Sequence, residues 1–236
     1  PNMFHPRVQA YNALVFEALT SEERQAFMTI YNDYFYERHN EMWGALAYRK
    51  LSMVLERTNM LVTAEDLGVL PDCVQPTLDA LRILTLEVQT LPKQHGLEFA
   101  HLEANPYLSV ATISTHDMPP MRLWWQERPE AAQHYYRDRM QKEGRPPVAL
   151  TTTLAEEIVS RHLYSPSMLC LLSLQDWLAV DAEMRNPDPR SERINIPGDC
   201  YNRWSYRMHV NIEQLIADEQ LNKKLRTMVE RSKRNV

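Results

Sequence analysis

Glycine is scarce in this chain. Five occur in 236 residues, and no G-x-G-x-x-G or P-loop pattern is present, which excludes the loops that cradle nucleotide phosphates. Cysteine is scarce too. Cys73, Cys170 and Cys200 are an odd, scattered set, as expected of reduced thiols in a cytosolic protein and not of a disulfide frame. Eight histidines show neither H-x-x-x-H nor H-E-x-x-H spacing, so no metal site is expected, and nothing suggests a redox or nucleotide cofactor. No apolar run approaches the ~20 residues of a membrane span. The expectation is a cytoplasmic protein without a membrane partner. A net charge of -5 argues against nucleic acid, whose binding draws on clustered Lys and Arg. The basic tail Lys223, Lys224, Arg226, Arg231, Lys233, Arg234 is read as a solvated last helix whose cations suit its C-terminal dipole.

What is present suffices for a packed core: 44% of residues are hydrophobic, and the length fits one domain or two. The sequence opens Pro1-Asn2-Met3-Phe4-His5-Pro6 without an initiator Met or a signal peptide, and is expected to be a piece of something longer.

Hydrophobic spacing of three to four residues predicts a short helix over 8–19. It predicts further helix from the capping box Thr20-x-x-Glu23 to about Leu55, either one long helix or two joined near Asn40. The period then changes. Met60–Ala64, Arg82–Val88 and Ser109–Ser114 are short apolar runs, the signature of parallel strands buried on both faces. Helical material around Val74–Leu81 separates the first two. Later signals are a capping box at Thr153-x-x-Glu156, a helix start at Ser165-Pro166, a helix running into a strand over 168–180, and a last helix over 210–231. The fold class is therefore α/β, either an open doubly wound sheet or part of a (β/α)8 barrel, since three or four strands are too few to close one.

Acids follow two of the strands. Glu65 and Asp66 come directly after Met60–Ala64, and His116-Asp117 after Ser109–Ser114. Carboxylates at converging strand ends can do acid/base work on a glycosidic bond; acids in such places also cap the next helix. Glu87 lies inside its strand and either faces the crevice or pairs with Arg82.

At these residues the sequence resembles the amylomaltase, or 4-α-glucanotransferase, family. Ala64-Glu65-Asp66-Leu67-Gly68 is similar to its G-E-D-L-G segment, with alanine for the first glycine. Ser114-Thr115-His116-Asp117 is similar to its T-H-D segment, and Trp124-Trp125 follow. Gln175-Asp176 resembles its Q-D element, Arg193-Ile194-Asn195-Ile196-Pro197-Gly198 its R-x-N-x-P-G, and Trp204-Ser205-Tyr206-Arg207 its closing W-x-x-R. The five stand in family order. The opening segment and the long helical stretch look most like the larger disproportionating enzymes.

The resemblance implies the C-terminal part of a (β/α)8 TIM barrel with long helical insertions. Residues 1–59 would be an insertion and 60–236 the later βα units. It implies retaining transfer of α-1,4-glucan segments between maltooligosaccharides or starch-type glucans. Glu65 would be the general acid/base, with a raised pKa, and Asp117 the second acid, which stabilises an oxocarbenium-like transition state. His116, Asp66, Arg193, Asn195 and Trp204 would bind substrate. Trp124, Trp125 and Tyr107 either stack on glucose or pack in the core. Arg203 separates Asn202 from Trp204, where the family keeps Asn and Trp adjacent, so Asn202 is given no role. The family's nucleophile is an aspartate in an R-x-D context, and the chain contains no R-x-D. The nucleophile and the first half of the barrel, the expected partner, are expected upstream. The chain alone is then expected to be inactive and to self-associate through open strand edges. Competing readings are an α-glucan hydrolase of the same clan, told apart by acceptor use, and a non-catalytic helical interaction module.

Overall fold

The computed structural model describes residues 5–68, 70–94 and 96–234. The chain divides into two compact units, Pro1–Ala64 with Val69–Leu84, and Glu65–Gly68 with Thr85–Val236.

The first unit is helical. The short helix expected over 8–19 is two separate turns, a 3-10 turn at Ala10–Asn12 and α1 at Leu14–Glu17. Thr20 and Glu23 form the expected capping box and start α2 (Ser21–Asn32). The helix does not stop there. It passes through a π turn at Asp33–Arg38 into α3 (His39–Leu55), so it is one long run whose irregularity precedes Asn40. Aromatic rings line that run, with Tyr31 against Phe35 at 4.7 Å and His39 stacked on Trp43 at 4.5 Å. Asn40 Oδ1 accepts from the Cys73 amide at 3.1 Å, at the start of α4 (Val74–Leu81). Gly44 lies close by, where an added Cβ would be in van der Waals contact with Cys73 Cβ at 3.4 Å. The strand expected at Met60–Ala64 is reduced to one parallel bridge, Thr63 with Leu84.

The second unit holds a parallel sheet. β1 (Thr85–Val88) pairs with β2 (Ser109–Thr112), which pairs with β3 (Leu169–Cys170). All four residues of the central β2 are buried, as an apolar run without polar alternation predicts. After β2 come α5 (Met121–Glu127), α6 (Pro129–His134) with a π turn at Tyr135–Arg139, and α7 (Thr152–Leu163). After β3 come α8 (Leu174–Leu178), α9 (Ile212–Ala217) and α10 (Glu219–Arg231). Their apolar faces enclose one core that includes Ile113, Trp125, Tyr135, Ile158, Leu178 and Leu221. Cys170 packs half-buried against it, and burial raises its thiol to about 11.

Four local expectations are corrected. Thr151, not Thr153, caps α7: its hydroxyl accepts from Leu154 N at 3.3 Å, while Glu156 pairs with Lys224 at 2.7 Å. No helix starts at Ser165-Pro166, because the Arg234 guanidinium claims this turn. It donates to Leu163 O (2.6 Å), Ser165 O (2.6 Å) and Met168 O (3.3 Å). Over 168–180 the order is strand then helix, since Ser173 caps α8 by accepting from Asp176 N at 3.1 Å. The last helix is two, broken at Asp218, whose carboxylate caps α10. Its basic tail is less solvated than expected, as Lys224 also donates to Val180 O at 2.9 Å.

Candidate active site

The site belongs to the second unit and gathers at the C-terminal ends of β1 and β2, where parallel βα folds place their chemistry. Beyond β2, residues Thr115–Pro120 form a loop into α5. Asp117 N donates to Thr115 Oγ1 at 3.3 Å, which fixes a tight turn at His116. His116 Nε2 lies 3.5 Å from Asp117 Oδ1.

Asp117 receives a hydrogen bond from far along the chain. Asn195 Nδ2 donates to Asp117 Oδ1 at 2.5 Å. Asn202 Nδ2 in turn donates to Asn195 Oδ1 at 2.7 Å. An amide has one accepting and one donating end, so the bond from Asn202 turns the donating end of Asn195 toward the carboxylate. Trp204 closes this group. Its ring centroid lies 5.2 Å from that of His116, it is 55% exposed, and its φ is 50°. A non-glycine residue in the left-handed region costs energy and persists where its surroundings impose it, often at ligand sites. An indole half in solvent, braced by a histidine, presents a face suited to a sugar ring.

Beside this group opens a pocket of about 260 Å³, lined by Thr115, His116, Met118, Leu172, Gln175 and Ile194 among others. Arg193 does not reach Asp117. Its guanidinium pairs with Glu127 at 3.1 Å and donates to Asn195 O at 3.3 Å, so it braces the loop that carries Asn195.

Asp66 and Glu65 are held at β1. Asp66 is 4% exposed. It accepts from the Leu86 amide at 2.7 Å and pairs with Lys93 at 2.6 Å. Lys93 also pairs with Glu87 at 2.7 Å, which answers the question left open for Glu87: its cation is Lys93, not Arg82. Gly68, with φ 92°, turns the chain after this carboxylate. Ala64 is not among the positive-φ residues, so its replacement of a glycine carries no backbone strain. Glu65 is exposed. Among the described residues no hydrogen bond or ion pair joins it to the Asp117 group.

Of the predicted site residues, the structure therefore brings together His116, Asp117, Asn195 and Trp204, and holds Glu65 and Asp66 at the neighbouring strand. Trp125 is 2% exposed and donates to Pro147 O at 2.9 Å, so it is core. Trp124 packs on that core against Phe99 and Tyr135, and Tyr107 is exposed. Sequence reasoning missed Lys93 and gave Asn202 no role. A lone lysine in a loop carries no pattern, whereas Asn202 stood beside the closing motif and was discounted for one inserted arginine.

Buried behind the Asn195 loop, Glu192 is 1% exposed. Its Oε2 lies 3.4 Å from Arg122, and among the described residues its Oε1 has no hydrogen-bond partner. Burial pushes its carboxyl up to about 7, against the opposing pull of Arg122. Among the described residues no cluster of His, Cys, Asp and Glu is arranged to hold a metal ion.

A family model described as 4-alpha-glucanotransferase matches residues 11–213. The chain is 29% identical over 232 residues to the 4-alpha-glucanotransferase DPE2 of Oryza sativa subsp. japonica, covering 98% of this chain and 24% of that protein. It is 32% identical over 182 residues to the 4-alpha-glucanotransferase of Chlamydia muridarum, covering 75% of this chain and 34% of that one. The chain thus spans about a quarter to a third of these relatives. The amylomaltase of Streptococcus agalactiae, solved in complex with acarbose, superposes with a TM-score of 0.58 at 16% identity, over 82% of this chain and 35% of that one. This is a likeness of fold.

Proposed function

The chain belongs to the 4-α-glucanotransferase family, and from that premise we propose that it is the C-terminal part of a catalytic domain that transfers α-1,4-glucan segments between glucan chains. The observation that carries this reading is the Asn202–Asn195–Asp117 relay beside His116 and Trp204. Three separated segments of the chain converge on one carboxylate, an aromatic face and an adjoining pocket.

In this reading residues 60–236 are the later βα units of a (β/α)8 barrel and 1–59 a helical insertion. Glu65 is the general acid/base. It protonates the glycosidic oxygen of the leaving chain, then takes the proton of the incoming sugar hydroxyl. An exposed acid fits this role because the glycosidic oxygen of a bound glucan can reach it. Asp117, oriented by Asn195, stabilises the positive charge that develops at the anomeric carbon. His116 and Trp204 hold the same sugar, Arg193 braces Asn195, and Asp66 with Lys93 fixes the segment that carries Glu65. The covalent step needs a further carboxylate as nucleophile, and we place it upstream, in the half of the barrel that completes the site.

The test is product analysis of this chain incubated with maltotriose. No glucose and no longer oligosaccharides are expected, because no covalent intermediate forms without the nucleophile. Glucose with maltotetraose and longer products would show that the chain supplies its own nucleophile. Glucose and maltose alone would favour hydrolysis.

A further inference from the structure

The loop that carries His116 and Asp117 is anchored at both ends by one side chain. Asp176, in the first turn of α8, is 1% exposed. Its Oδ2 accepts from Ser114 Oγ at 2.9 Å, at the end of the loop that leaves β2, and from Ser173 Oγ at 2.8 Å. Its Oδ1 accepts from Met121 N at 3.0 Å, at the other end, where the chain enters α5. The N-cap of α5 is Pro120, which has no side chain able to cap the helix, so a carboxylate 55 residues away in sequence does so. The preceding residue serves the second site loop. Gln175 Nε2 donates to Glu192 O at 3.3 Å, three residues ahead of Asn195.

We infer that Asp176 is a positioning residue: it sets where His116 and Asp117 stand, while Gln175 beside it sets the loop from which Asn195 meets Asp117. This rests on the catalytic role proposed for Asp117. Asp176 is buried with three donors, so it touches no substrate. Its effect passes through the loop, whose six residues Thr115–Pro120 are pinned at Ser114 and Met121. A carboxylate that binds only to hold a fold would join any two convenient elements. This one joins the two ends of the segment that carries the charged site residue. A shift of about 1 Å in such a segment costs roughly a hundredfold in rate.

The test compares four variants of the intact enzyme that carries this segment, by steady-state transfer from maltotriose and by thermal melting. Ser114→Ala removes one anchor and leaves the other two bonds to Asp176. Asp176→Asn alters all three. Thr151→Ala, which removes the cap of α7 and no bond to Asp176 or the loop, is the control for lost stability alone. Asp117→Asn tests the site itself. The expected result is a kcat about tenfold lower in Ser114→Ala and Asp176→Asn with KM changed by less than about threefold, the pattern of a lost transition-state interaction. Thr151→Ala should melt earlier at unchanged kcat. A kcat within about twofold of the parent in Ser114→Ala, with Asp117→Asn inactive, overturns this inference and leaves the proposed function standing. A loss of kcat in Thr151→Ala equal to that in Ser114→Ala also overturns it. An active Asp117→Asn overturns both.

Discussion

Glu192 sits behind the Asn195 loop with one carboxylate oxygen unpartnered among the described residues and its carboxyl raised by burial to about 7. The unfolded chain releases this proton near 4.5. Between those values the native state binds more protons than the unfolded state, so stability falls as pH rises. The loss is up to about 3 kcal/mol, complete above the native value. His162 acts in the opposite sense: burial lowers it to about 4, so it costs stability as pH falls below its ordinary range. The contribution of Glu192 is therefore read against Glu192→Gln, in which His162 is unchanged. Urea unfolding of both proteins at pH 5 and pH 8 should show the variant gaining on the parent at pH 8. Parallel values at the two pH values would show that Glu192 titrates normally. None of this was legible in the sequence, where Glu192 was one more charge in a loop rich in proline. The contact between Asp117 and Asn195 was legible only through motifs, because residues 78 apart share no local pattern.

At the scale of elements, the sequence was read well where a signal was local and uncontested. Thr20 and Glu23 cap α2 as written, and the apolar run Ser109–Ser114 contains the central strand. It was misread where two groups compete for one role. Thr151, Thr152 and Thr153 stand in a row at the start of α7, and the first of them caps the helix. Ser165-Pro166 has the form of a helix start, but its carbonyl is held by Arg234 from the far end of the chain. That arginine satisfies carbonyls freed at the end of α7, as a C-terminal helix end demands. Arg234→Met keeps the aliphatic stem and removes the donors. Denaturant unfolding should register a loss of about 2–3 kcal/mol, in keeping with hydrogen bonds from a charged donor. A change under about 0.5 kcal/mol would class Arg234 with exposed surface charges.

For the molecule as a whole, composition and spacing reached a parallel α/β fold, and the three-stranded parallel sheet agrees. They did not reach the division into two units, because the boundary falls between Leu84 and Thr85, inside one apolar run. The resemblance groups 60–236 as later βα units, and Glu65–Gly68 does fall in the second unit, held by long-range bonds of Asp66 to Leu86 and Lys93, but Met60–Ala64 and Val69–Leu84 fall in the first. Among the described residues no helix is long and apolar enough to cross a membrane. The central claim is that Glu65 and Asp117 are the two catalytic carboxylates this chain brings to the enzyme. It is tested most directly by transfer from maltotriose in the intact enzyme with Glu65→Gln. The account predicts a loss of about 10²- to 10⁴-fold in kcat, the range of a removed general acid/base, with the fold retained. A folded Glu65→Gln enzyme within about threefold of the parent would contradict it, and the proton would then have to come from another group.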